Sequence, residues 1–139
     1  KVTGLKDPKE FIASIQKPRR VMFLVKAGPT VDKVIDLLSE HMEQGDILID
    51  GGNEWYENSV RRSKALESKG IDYVAMGVSG GEEGARNGPS LMPGCSKKAY
   101  DLCKDVFEAT AAKVDGSNCV AYVVFFPRPE NHCVLTTRI

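Results

Sequence analysis

Apolar residues recur along the chain in two rhythms, and the alternation between them predicts its elements. Asp7-Pro8-Lys9-Glu10 reads as a helix start: Asp7 caps, Pro8 suits the first helical position and Glu10 occupies the capping-box position. Phe11, Ile12 and Ile15 give that helix an apolar face, and Pro18 ends it. Val21 to Val25 is a continuous apolar run, which predicts a strand buried on both faces. Val31, Val34, Ile35, Leu38 and Met42 then follow the three-and-four spacing of a helix with one buried stripe, closed by Gly45. Ile47-Leu48-Ile49 is a second strand and Tyr73 to Met76 a third. A polar helix from about Tyr56 to Ser68, stopped by Gly70, lies between them. A long glycine-rich turn follows. Ser96 caps another helix that turns Ala99, Leu102, Cys103, Val106 and Phe107 inward, and Val120 to Phe126 reads as a last strand. Helices alternating with short apolar strands predict a parallel sheet with helices on both faces and the strand C-terminal ends along one edge.

Composition narrows the function classes. The chain has 139 residues, 42% hydrophobic and 27% charged, with 19 basic and 19 acidic side chains and zero formal net charge. No basic excess points to nucleic acid, and the short Lys17-Pro18-Arg19-Arg20 cluster reads as a solvated strand entry. No apolar run approaches the ~20 residues that span a bilayer, so neither nucleic acid nor a membrane is an expected partner. The first residue is Lys1 and no signal-peptide pattern opens the chain, so the true start is expected upstream unless processing removed it. Cys95, Cys103, Cys119 and Cys133 include no C-x-x-C pair. Reduced thiols in a cytosol-like compartment and no metal site are expected.

In parallel sheets, ligands bind beyond the carboxyl ends of the strands. Those ends carry Val25-Lys26-Ala27-Gly28, Asp50-Gly51-Gly52-Asn53 and Val78-Ser79-Gly80-Gly81, each joining small residues to a polar group. Two readings of Lys26 stand: its loop lies along a nucleotide with the ammonium near phosphate, or it is an ordinary lysine between strand and helix. The Asn53 amide offers a donor and an acceptor, enough to hold a substrate hydroxyl and a cofactor amide together; it also suits a helix N-cap. Ser79, Gly80 and Gly81 form either a cradle for a carboxylate or a tight turn followed by two solvated acids. Glu82 and Glu83 are adjacent and show no buried partner, so no acid–base role is assigned to them. Trp55 and Tyr56 read as packing residues rather than a stacking platform. Arg61 and Arg62 read as a solvated face, and Cys103 as core. The G-x-G-x-x-G turn that normally opens a dinucleotide-binding fold does not occur.

Three segments together carry a resemblance: Leu24-Val-Lys-Ala-Gly28, Asp50-Gly-Gly-Asn-Glu-Trp-Tyr56 and the run from Gly77 to Gly94, whose Glu-Glu-Gly-Ala-Arg…Gly-Pro-Ser continuation is the most specific part. In this order they resemble the decarboxylating 6-phosphogluconate dehydrogenase family over about Lys1 to Val123, with a plant-like Glu54-Trp55-Tyr56-Glu57-Asn58 variant. The resemblance implies an incomplete Rossmann-type doubly wound α/β domain, residues 1–123, lacking the first βαβ unit and the C-terminal all-helical domain. It implies an NADP-dependent oxidoreductase of the pentose phosphate pathway that oxidatively decarboxylates 6-phosphogluconate to ribulose 5-phosphate. Val25, Lys26, Ala27 and Asn53 match cofactor-binding positions, and Asn53, Ser79, Gly80 and Gly81 match substrate-binding positions. Family members are homodimeric. A cytoplasmic location is implied, or a plastid if an upstream segment carries a transit peptide.

The chain also departs from the family. The lysine base and glutamate acid stand in a Lys-Met-Val-His-Asn-Gly-Ile-Glu-Tyr helix that does not occur here, so no catalytic residue is assigned. Residues 124–139 match nothing in the family and read as a divergent tail. Cys95 replaces a usual glycine. The expectation is therefore a fragment of the enzyme, inactive alone, with an exposed sheet edge and marginal solubility. The alternatives are a fragment of another β-hydroxyacid dehydrogenase, or a non-catalytic ligand-binding or subunit-docking fragment.

Overall fold

The computed structural model of the chain describes residues 3–124. The Asp7 carboxylate accepts a hydrogen bond from the Lys9 N–H at 2.7 Å and starts helix α1, Pro8–Ala13, in which Ile12 is buried. Strand β1, Arg20–Phe23, helix α2, Pro29–Ser39, strand β2, Ile47–Asp50, helix α3, Tyr56–Glu67, and strand β3, Asp72–Ser79, follow in alternation. The three strands are parallel, with Phe23 beside Asp50 and Asp50 beside Ala75 at their C-terminal ends. The chain then forms the short helix α4, Gly81–Asn87, and strand β4, Ser90–Cys95, which runs antiparallel to β3. Helix α5, Lys97–Thr110, is capped by the Ser96 hydroxyl, which accepts from the Ala99 N–H at 3.1 Å. A small hairpin of β5, Lys113–Val114, and β6, Ser117–Asn118, turns on Asp115-Gly116, both at positive φ, a pairing typical of two-residue hairpin turns. Strand β7, Val123–Val124, lies parallel to β4.

The five-stranded sheet has the order β1-β2-β3-β4-β7 and carries helices on both faces. On one face α1, α2 and α3 bury Ile12, Val31, Ile35, Leu38 and Leu66 against Val21, Phe23, Leu48 and Tyr73. On the other, α5 buries Ala99, Cys103 and Phe107 against Ile47, Ile49, Val74, Met76 and Leu91. Leu48 faces one layer and its neighbours Ile47 and Ile49 the other, as the strand's two-residue period requires. This is the Rossmann-type α/β arrangement. It is mixed rather than wholly parallel, because the stretch read as one long turn contains α4 and the antiparallel strand β4.

Other expectations change in detail. Val21 and Phe23 are buried, but Met22 is 42% and Leu24 62% exposed, because β1 is the outer strand among the described residues. Leu102 and Val106 sit at the rim of the α5 contact rather than within it. Arg19 is not a solvated cation: it is buried and donates to Asp46 at 2.8 Å and to the Ile12 carbonyl at 3.0 Å. Of the predicted last strand, Val120 bridges to Leu91 and Val123–Val124 pairs with β4, while Phe125 and Phe126 lie outside the described residues. So do residues 125–139 of the expected tail 124–139, whose first residue, Val124, pairs with Cys95. The cysteines Cys95, Cys103 and Cys119 are free. Burial, with Cys103 nearby, pushes the Cys95 thiol up to about 12. Among the described residues no group of His, Cys, Asp and Glu could hold a metal ion, and no helix is long and apolar enough to cross a membrane.

Candidate functional site

The edge formed by the C-terminal ends of β1, β2 and β3 carries all the candidate binding residues. The loop after β1 and the loop after β2 are in direct contact. The Gly51 N–H donates to the Phe23 carbonyl at 3.0 Å. A β-carbon on Gly52 would lie 3.1 Å from the Val25 carbonyl oxygen and equally close to the Asp50 carboxylate, so this approach leaves little room for a side chain. Val25 is half-buried, and Lys26, Ala27 and Asn53 are exposed.

Two buried acids anchor these loops. Asp50 accepts from the Gly52 N–H at 2.9 Å through one oxygen and from the Tyr73 hydroxyl at 2.6 Å through the other. Burial, reinforced by that bond to Asp50, pushes the Tyr73 phenol up, so the hydroxyl stays a donor. Glu54 accepts from the Gly28 N–H at 2.8 Å and from Arg62 at 2.6 Å through one oxygen. Its other oxygen accepts from the Trp55 N–H at 2.8 Å and the Asn58 amide at 3.1 Å. Arg62 in turn donates to the Gly28 carbonyl at 3.0 Å and grips both oxygens of Asp32. Burial acts to raise the Glu54 carboxyl, but the Gly28 N–H and Arg62 outweigh it and hold the group at about 2. Arg62, then opposing burial, then Arg61, leave Asp32 at about 2.

The turn Ser79-Gly80-Gly81 stands apart from these loops. β3 continues from Met76 to Ser79 beyond the level at which β1 and β2 end, paired there, among the described residues, with β4 alone. At the rise of an extended strand this overhang is ~13 Å long. Gly80 has φ +138°, and a β-carbon on it would come within 2.8 Å of the Gly84 Cα, so the turn requires glycine there. Glu82 and Glu83 follow on the exposed first turn of α4. Glu82 pairs with Arg86 at 3.5 Å and Glu83 with Asn87. Between the overhang and the start of α3 lies a cavity of about 220 Å³, floored by Ala75, Gly77, Met92 and Gly94 and walled by Asp50, Asn53 and Tyr56. Asn53 reaches this cavity. Lys26, Ser79, Gly80 and Gly81 do not line it.

The cap of α3 falls on Trp55, so Asn53 is not the N-cap and its amide is not spent on that role. Trp55 is 60% exposed, its ring centroid 4.7 Å from that of Tyr56, rather than packed inside. Arg62, read as solvated, has a side chain only 2% exposed. A signal for it was present: Ser59, Arg62 and Leu66 are the buried positions of α3, spaced three and four apart.

A family model described as the NAD binding domain of 6-phosphogluconate dehydrogenase matches residues 1–123. The chain is 58% identical over 122 residues to the chloroplastic decarboxylating 6-phosphogluconate dehydrogenase 1 of Arabidopsis thaliana, covering 88% of this chain and 25% of that protein. It is 59% identical over 123 residues to decarboxylating 6-phosphogluconate dehydrogenase 1 of Oryza sativa subsp. japonica, covering 88% and 26%. The chain thus spans about a quarter of the length of the curated relatives it matches. Among solved structures it resembles Plasmodium falciparum 6-phosphogluconate dehydrogenase, described in its apo form and in complex with its cofactor NADP+ and with its substrate 6-phosphogluconate. That match has a TM-score of 0.78 and 55% identity, and covers 82% of this chain and 24% of that one. A 3-hydroxyisobutyrate dehydrogenase from Salmonella typhimurium, at 22% identity and TM-score 0.71 over 87% of this chain and 40% of that one, shares the fold.

Proposed function

The chain belongs to the family of the NAD-binding domain of 6-phosphogluconate dehydrogenase, and from that premise we propose that it supplies part of the NADP and 6-phosphogluconate site of a decarboxylating 6-phosphogluconate dehydrogenase. In this reading Val25, Lys26 and Ala27 follow the dinucleotide. Asn53 uses its amide on both cofactor and sugar acid, and Ser79, Gly80 and Gly81 hold the substrate. NADP, when bound, accepts the hydride removed from the substrate. The protein's part is to bind and orient. A side-chain amide donates through nitrogen and accepts through oxygen, so Asn53 can fix the carboxamide of one ligand against a hydroxyl of the other.

The observation that carries the reading is the meeting of the Val25 and Asn53 loops through Gly52, beside a cavity that Asn53 lines. Residues 1–123 are the binding domain in this proposal, and 124–139 a divergent tail. The assembly that completes the site is a homodimer of longer chains, in the cytoplasm or a plastid. The lysine and glutamate expected to move protons are not among these residues, so the chain alone binds without turnover. General acid–base groups contribute roughly 10²–10⁴-fold each, and the 139-residue chain mixed with NADP+ and 6-phosphogluconate is expected to give no NADPH absorbance. The binding test is nuclear magnetic resonance on the labelled chain. NADP+ is expected to shift the amides of Val25 to Ala27 and Asn53, and 6-phosphogluconate those of Asn53 and Ser79 to Gly81. Saturating ligand that leaves these amides in place would overturn the proposal.

A further inference from the structure

Gly28 is gripped at both polar groups of its backbone by side chains that belong to the next strand–helix unit. Its N–H donates to Glu54 at 2.8 Å and its carbonyl accepts from Arg62 at 3.0 Å. Glu54 and Arg62 are bonded to each other at 2.6 Å, with side chains 6% and 2% exposed. Asp32 on α2 takes the rest of the guanidinium, at 3.0 and 2.9 Å, and Arg61 closes the cluster from the surface at 2.8 Å. Two arginines face two carboxylates, so the cluster carries no net charge. Its location is the informative part. Glu54 directly follows Asn53, and Gly28 directly follows Ala27. The cluster therefore connects the two loops assigned to the dinucleotide, from the side buried against the helices.

We propose that Glu54 and Arg62 are positioning residues that lock the 24–28 loop to the 51–53 loop, so that the two meet a nicotinamide dinucleotide as one preorganised unit. The proposal rests on the function proposed above and adds to it a pair of residues that act through the loops they hold, Glu54 doing so from the wall of the cavity beside Asn53. A loop already held in its binding geometry loses less freedom when the ligand arrives. The lock does not reach Ser79 to Gly81, which stand on the β3–β4 overhang. Of the positions assigned to the sugar acid it reaches Asn53 alone, so its loss falls mainly on the dinucleotide.

The test uses Glu54→Gln in the isotopically labelled 139-residue chain, with NADP+ and 6-phosphogluconate titrated separately. The substitution keeps the shape of the side chain and removes the charge that holds Gly28 and Arg62. Amide exchange at Val25 to Gly28 and Gly51 to Asn53 is expected to rise about tenfold, with Val74 unchanged. The NADP+ dissociation constant is expected to rise about tenfold, equivalent to 1.4 kcal/mol, while that for 6-phosphogluconate, which shares only Asn53 with the locked loops and is read at Ser79 to Gly81, rises by no more than about threefold. Equal weakening of both ligands, or unchanged affinity for NADP+, would mean the cluster only stabilises the fold and would overturn the proposal. If the unsubstituted chain binds no NADP+, the functional reading fails, and the lock is judged by exchange alone. Faster exchange confined to the two loops upholds it, and unaltered or global exchange sinks it. Should Glu54→Gln fail to fold, Asn58→Ala removes one hydrogen bond from Glu54 and is expected to give the same pattern at about threefold.

Discussion

Arg62 has three acceptors and almost no water: two carboxylates and a carbonyl share a guanidinium whose side chain is 2% exposed. Removing one member of such a group leaves charge buried without a partner, which costs about 3–5 kcal/mol. Arg62→Met is expected to lower the unfolding free energy from urea denaturation at pH 7 by that amount. The same cluster sets a pH response. Asp32 and Glu54 are held at about 2, below their ordinary 3.8 and 4.5, so the unfolded chain binds more protons than the folded one in that interval. Their stabilisation is present above the ordinary values and lost as pH falls toward about 2. Urea midpoints measured at pH 5, 4 and 3 are expected to fall in the unsubstituted chain, and this part of the fall is expected to be missing in Arg62→Met. Arg62 was misread in the sequence because its charge outweighed its place on the buried stripe. Trp55 errs the opposite way: its size suggests packing against neighbouring elements, yet at the start of α3 it is 60% exposed, with Tyr56 beside its ring.

At the scale of elements, legibility followed periodicity. α2 and α5 announce themselves by apolar residues three and four apart, β2 by an unbroken apolar run, and α1 and α5 by capping residues whose hydrogen bonds are made. α4 and β4 were not legible. The stretch from Gly77 to Gly94 has no sustained period, α4 contains two glycines and β4 contains Pro93 and Gly94, so every local preference points to a turn. Pairing with β3 overrides those preferences and supplies the hydrogen bonds that local sequence does not promise. The turn that starts α4 depends on Gly80. Gly80→Ala puts a β-carbon at a positive φ and against Gly84, at a cost of about 1–3 kcal/mol. Thermal denaturation is expected to register that loss, with 6-phosphogluconate affinity reduced and NADP+ affinity retained.

Across the whole molecule, the order of the helix–strand alternation was readable because strands with a helix layer on each face leave a strong apolar imprint, and the family was readable from the resemblance carried by the 24–28, 50–56 and 77–94 segments. The direction of β4 and the join between the two loops arise from contacts between distant segments, and no local pattern encodes them. The outer position of β1 has a practical effect: Leu24 is 62% exposed at the end of that strand. Leu24→Lys is expected to raise the concentration at which the chain aggregates, followed by light scattering, while the unfolding free energy changes by less than about 0.5 kcal/mol. The overhang of β3 has a mechanical consequence. Among the described residues, Met76 to Ser79 have β4 on one side and no strand on the other, and β4 is itself propped near that end, where Pro89 and Leu91 are hydrogen-bonded to Ala112, Cys119 and Ala121, so the overhang is a propped beam rooted at Ala75. A beam propped near its tip yields far less than a free one, so the distance from Gly80 and Gly81 to the Asn53 loop is set by the 112–121 segment as much as by β3.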